Sequence, residues 1–137
     1  MKAPFLLDLS HTCHTRARTG VQRVARSLRS ALGNGATAVT HDPHLGAWRT
    51  LEPWEEANLD ATGAGGRRGA RWPLAARWRG RFGRFLGRSP APLPASTGLI
   101  VPEIFSPAVA AALPALFAAT GGPRVAIFHD AIALRLP

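Results

Sequence analysis

One cysteine, one lysine and the absence of any long apolar run set the first limits on this chain. With Cys13 alone no intrachain disulfide can form, and cysteine usage points to no oxidising compartment. A reducing, cytoplasmic setting is therefore expected. The opening stretch, Met1 to Ser10, is a short apolar run broken by Asp8, without the long apolar region and small-residue cleavage site of a signal peptide. The longest later apolar stretch, Ala108 to Ala119, is about a dozen residues and contains Pro114, short of the ~20 that cross a bilayer. No segment is expected to span a membrane. Walker and G-x-G-x-x-G phosphate loops are missing, and no fixed-period repeat is visible.

What is present is a chain of 137 residues, 46% hydrophobic, with four Trp and six Phe. That is enough for one compact domain with a core and too little for two full enzyme domains. The formal net charge is +9, carried almost entirely by arginine because Lys2 is the only lysine. Such a bias fits a GC-rich genome as well as it fits anion binding. Charge alone names no partner, so its placement has to.

Phe5 to Leu9 reads as a buried strand opening into a polar Ser/His/Thr loop. Val21, Val24, Ala25, Leu28, Ala31 and Leu32 follow at helical spacing, Gly33-Asn34-Gly35 stops that helix, and Ala36 to Thr40 suits a second strand. A second such unit comprises a strand at Gly98 to Pro102, a helix capped by Ser106 and opened by Pro107, and a strand at Arg124 to Phe128. Pro114 is expected to kink or split that helix. The rhythm is β-α-β twice, which predicts an α/β fold with a Rossmann-like parallel sheet and flanking helices. Residues 1–137 are read as a single partial Rossmann-like domain, and residues 41–97 as an irregular Arg/Gly/Pro-rich insertion within it.

Inside that insertion Leu74, Ala75, Trp78, Phe82, Phe85 and Leu86 recur at helical spacing, with Arg77, Arg81, Arg84 and Arg88 between them. They predict a short basic amphipathic helix, weakened by Gly80, Gly83 and Gly87 at ~1 kcal/mol each. Aromatic rings and guanidinium groups on one helix suit an anionic membrane surface, with Arg77, Trp78, Arg81, Phe82, Arg84 and Phe85 as the contacts. The same composition can grip single-stranded nucleic acid, or be a solvated surface. Membrane is favoured over nucleic acid because the aromatics share a face. On that reading the chain is peripheral at the inner face of the cell membrane.

In open α/β sheets ligands bind beyond the carboxyl ends of the strands. Two positions qualify: the loop from Asp8 to Gly20, and His129-Asp130 after the last strand. Gly20 allows close backbone approach before a helix whose N-terminus favours anions, and Arg23 adds charge. His129 and Asp130 are candidates for general acid/base work, although neighbours on an extended chain point to opposite faces. His11, Cys13 and His14 lack a second ligand pair at zinc spacing, so no metal is expected. Cys13 as a nucleophile has no more than sequence-adjacent histidines in its favour.

Leu6-Leu7-Asp8-Leu9-Ser10 followed by Thr19-Gly20-Val21-Gln22-Arg23-Val24 resembles the opening of bacterial family 4 glycosyltransferases. In these a D-V/L-S strand end precedes a T-G-V/I-x-R-V helix start. Val125 to Pro137, with His129-Asp130-Ala131-Ile132, is similar to that family's strand leading into an H-D-x-I/L-P-L-x-x-P segment; Ala133 departs from it where the family often has proline. The resemblance covers Phe5 to about Thr40 and Gly98 to Pro137, and the Arg-rich middle matches no family pattern.

The resemblance implies the acceptor-side half of a GT-B enzyme, truncated before the donor-binding domain or completed by a separate chain. Complete members carry out retaining transfer from a nucleotide sugar to a glycan or lipid-linked acceptor, with no cofactor beyond that substrate. Gly20 and Arg23 would then line the substrate boundary, His129 and Asp130 would be catalytic, and the chain would be inactive alone. Two readings stay open beside it: a basic membrane- or nucleic-acid-binding module, and a degenerate non-catalytic fragment.

Overall fold

The computed structural model describes residues 4–62, 69–103, 106–127 and 129. Strand β1 spans Phe5–Asp8, helix α1 Gly20–Leu32, β2 Ala36–Asp42 and β3 Ala47–Thr50. Helices α2 Pro53–Asp60 and α3 Leu74–Phe85 follow, then β4 Leu99–Val101, α4 Pro107–Ala118 and β5 Arg124–Ala126. One sheet runs β3-β2-β1-β4-β5. Every neighbouring pair is parallel except β2 with β3, which form an antiparallel hairpin across the 42–47 turn. The fold is α/β and Rossmann-like, as the doubled β-α-β pattern predicts.

Strand alternation sorts the core onto two faces. Leu6, Val39, Leu99 and Val101 point to one side, where Leu113 and Leu116 of α4 and the ring of Trp48 cover them. Leu7 and Leu9 point to the other, against Cys13, Ala25 of α1 and Leu59 of α2. Parallel strands buried on both faces are held this way because helices close each side. The Ser106 hydroxyl accepts the Val109 N–H at 3.2 Å and caps α4 as the sequence suggests. Pro114 sits inside α4 without ending it: the helix is continuous from Pro107 to Ala118. Its outward location lets the ring sit where a lost backbone bond faces solvent. At the outer edge Val125 and Ile127 stay partly exposed.

The 41–97 stretch is more ordered than its composition predicts. It holds the end of β2, all of β3, α2 and α3, and it supplies Trp48 and Leu59 to the core. Trp48 is fixed twice, by its apolar neighbours and by an Nε1–H bond to the Ala112 carbonyl at 2.8 Å. Pattern reading misses β3 and α2 because each is short and buries single residues rather than a periodic stripe.

Helix α3 packs through its small residues and leaves its aromatic stripe at the surface. Its buried face is small: Ala76, Gly80 and Gly83. A Cβ at Gly80 would lie 2.8 Å from the His44 Cβ and 3.2 Å from the Leu45 backbone nitrogen, and one at Gly83 would lie 3.3 Å from a Leu45 methyl. The glycines thus serve close approach to the β2–β3 turn rather than only weakening the helix. Gly80→Ala should destabilise by about 1–3 kcal/mol through overpacking, despite alanine's ~1 kcal/mol helix advantage. Urea unfolding of the variant checks this, since a stabilised Gly80→Ala would mean that the contact is slack.

Candidate functional site

β1 has β2 on one side and β4 on the other, so the chain's path reverses between β1 and β4. That switch point opens a crevice at the carboxyl ends of the strands. β1 delivers Asp8 there, fully buried, with Oδ1 accepting the Ser10 N–H at 3.0 Å and the Ser10 hydroxyl at 2.6 Å. Ser10 in turn accepts the His41 N–H at 2.9 Å, tying the β1 loop to the end of β2. β4 delivers Glu103, whose carboxylate accepts the N–H groups of His11 at 3.1 Å and Thr12 at 2.8 Å and the Thr12 hydroxyl at 2.5 Å. Thr12–His14 form a 3-10 turn, and Glu103 satisfies N–H groups at its start that no helical carbonyl can reach.

Both acids are perturbed by their surroundings. Burial pushes Asp8 up to about 7, against the pull of the two Ser10 bonds, and the nearby Glu103 charge adds to the rise. Its Oδ2 is buried without a hydrogen-bond partner among the described residues. Burial also raises Glu103, although the Thr12 and His11 bonds oppose it.

The second half of the site is an ion-pair network reaching inward from β2. Arg49 of β3 donates to Asp42 at 3.1 Å and bidentately to Glu55 of α2 at 2.7 and 2.9 Å. His14 Nε2–H donates to the same Glu55 at 2.7 Å. Burial alone would raise Glu55, but the bonds from His14 and Arg49 outweigh it and hold the carboxyl below its usual range. Burial likewise works against the Arg49 charge, and Glu55 and Asp42 overcome it and raise its pKa. The result is an imidazole locked in place with its ring against Trp72, centroids 4.1 Å apart. Trp72 also meets Trp54 edge-on at 5.4 Å and His44 at 5.1 Å.

The His14–Trp72 pair forms a wall between two cavities. One, about 250 Å³, lies over the switch point and is lined by Ser10, His11, His41 and Glu103 together with Val109 of α4. The other, about 600 Å³, is lined by Trp54, Asn58, Arg16 and Arg71. Burial lowers His41, against the pull of Asp42. The smaller cavity therefore presents imidazole rings and the Glu103 carboxyl beside an indole face.

Of the residues expected at the site, His129 lies at the carboxyl edge: its Nε2–H donates to the Pro102 carbonyl at 2.6 Å, one residue before Glu103. Asp130 lies outside the described residues. Gly20 and Arg23 open α1 beyond the β1 end, both exposed, and the Arg23 N–H bonds back to the Thr19 carbonyl at 2.9 Å. A side chain at Gly20 would meet no atom within 4 Å, so space does not require glycine there. Arg77, Trp78, Arg81, Phe82, Arg84 and Phe85 lie on α3 and line neither of the two cavities. The residues that line the crevice, His14, His41, Trp72 and Glu103, carry no motif. The legible signals for them were a His-rich loop after β1 and a lone tryptophan next to proline.

Cys13, His14 and Glu55 place their ligand atoms within 4.8 Å of one another. The donor set fits a cation poorly. Glu55 already binds Arg49 and His14, and burial, with the Glu55 charge adding to it, raises the Cys13 thiol well above its usual range, away from the thiolate a metal needs. The cluster is a structural network. No helix of the described residues is long and apolar enough to cross a membrane. Compared with protein-family models, with curated proteins and with solved structures, the chain matches none.

Proposed function

We propose that the paired cavities around His14 and Trp72 bind a glycan, and that the chain is the acceptor-side half of a family 4 glycosyltransferase. The observation that carries this reading is the composition of the crevice. An indole face suits the apolar C–H face of a pyranose, while Ser10, His41, Asn58 and Glu103 offer donors and acceptors for its hydroxyls. The D-L-S segment at the carboxyl end of β1, the T-G-V-Q-R helix start after it and the H-D sequence segment support the family assignment by resemblance. A nucleotide sugar would be held by a second Rossmann-like unit, from the same or another polypeptide. His129 is then the group next to the reacting hydroxyl, and a catalytic role for Asp130 rests on the resemblance alone.

The test is transfer from a panel of nucleoside diphosphate sugars to oligosaccharide acceptors, using the chain co-expressed with its neighbouring coding sequence. Trp72→Ala should raise the acceptor KM at least about tenfold, as loss of a buried aromatic anchor does. The donor KM should stay unchanged. An acceptor KM indifferent to Trp72 would move the acceptor elsewhere and sink the site.

A further inference from the structure

We infer that the outward flank of α3 is a docking surface for an anionic lipid bilayer. Among the described residues eight large apolar side chains are exposed, and five belong to α3 or its last turn: Leu74, Trp78, Phe82, Phe85 and Leu86. Phe85 is 85% exposed and Trp78 68%, values that a monomeric surface seldom concentrates on one helix. At 3.6 residues per turn Leu74, Trp78, Phe82 and Phe85 form a single stripe. Arg77, Arg81 and Arg84 border it on one side and Arg79 on the other. The Ala76/Gly80/Gly83 face, seated on the 42–46 turn, fixes this orientation, so the rings are held outward by packing.

Charge selects the occupant. Residues 61–102 contain eight arginines and no aspartate or glutamate. Among the described residues only Arg79 of α3 is ion-paired, to Glu52 at 2.5 Å. The rest of the row faces a partner of opposite sign. Leu74 on the stripe and Leu86 at its end favour lipid over nucleic acid, because an acyl boundary takes aliphatic and aromatic side chains alike whereas bases stack on aromatic ones. The helix lies in the interface plane with its rings at the headgroup level and its arginines on lipid phosphates. This surface is independent of the glycan site.

Cosedimentation of the full chain with phosphatidylglycerol/phosphatidylcholine vesicles tests it, with pure phosphatidylcholine vesicles and a single-stranded oligonucleotide as the other arms. Binding should be confined to the anionic vesicles. Arg77→Gln and Arg81→Gln should each lower partitioning about fivefold, and Phe82→Ser at least about tenfold. These side chains are at the surface, so the variants should keep the wild-type circular dichroism spectrum, which is the check on folding. Brominated lipid should quench Trp78 emission, read as the difference from Trp78→Phe. Equal binding to neutral vesicles, indifference to both kinds of variant, or capture of the oligonucleotide with no vesicle binding would overturn the assignment.

Discussion

Arg49→Met is expected to cost about 3–5 kcal/mol of folding stability, since it strands a buried carboxylate. Arg49 is the cation shared by Asp42 and Glu55, and Glu55 has no exposed surface. With the guanidinium gone, Glu55 keeps only His14 and the Glu52 N–H as partners. Denaturant unfolding should show the loss in full near pH 7 and a smaller one near pH 4, where Glu55 can take a proton. Pairing Arg49→Met with Glu55→Gln should recover much of the loss, because the stranded charge is then removed. Equal losses in the single and double variants would mean that the network holds by packing rather than by charge.

Asp8 gives the second large effect, and its sign is opposite to that of an ordinary salt-bridged carboxylate. Its folded pKa of about 7 lies above its ordinary 3.8, so the native state holds a proton that the unfolded chain has released. Stability from this group is complete below pH ~4 and is lost as pH rises through ~7, by on the order of 4 kcal/mol at most. Glu55, lowered by its partners, works the other way at more acid pH, so the comparison has to be made against a variant. Asp8→Asn keeps the oxygen that accepts from Ser10 and removes the titration. Between pH 5 and 8 wild type should lose stability relative to Asp8→Asn. Parallel stability curves would show that Asp8 stays ionised, with its buried oxygen partnered in solution.

The elements with strong local signals were legible in the sequence. α1 begins at Gly20 after Thr19 and stops at Gly33, whose φ of +47° is a conformation that glycine adopts freely. β1, β2, β4 and β5 each follow an apolar run, and α4 follows its Ser-Pro start. β3 and α2 were illegible because they are stabilised by tertiary partners: Trp48 by α4, and Arg49 and Glu55 by each other. Helix α3 was legible as a helix with an aromatic stripe. Its small-residue face was illegible as a packing surface, because Gly80 and Gly83 read as helix weakeners rather than as points of close approach. The crevice was legible only as a place, the carboxyl edge of the sheet. His14, Trp72 and Glu103 converge there from well-separated parts of the sequence, and no spacing rule links them.

The proposed function rests on a glycan seated in the crevice. Saturation-transfer difference NMR with neutral gluco- and galacto-oligosaccharides tests that claim most directly, using wild type, Trp72→Ala and Arg77→Gln. The account predicts saturation concentrated on one face of a sugar ring, erased in Trp72→Ala and retained in Arg77→Gln. Saturation that survives in Trp72→Ala, or none for any oligosaccharide while free nucleotides take it up, would contradict it.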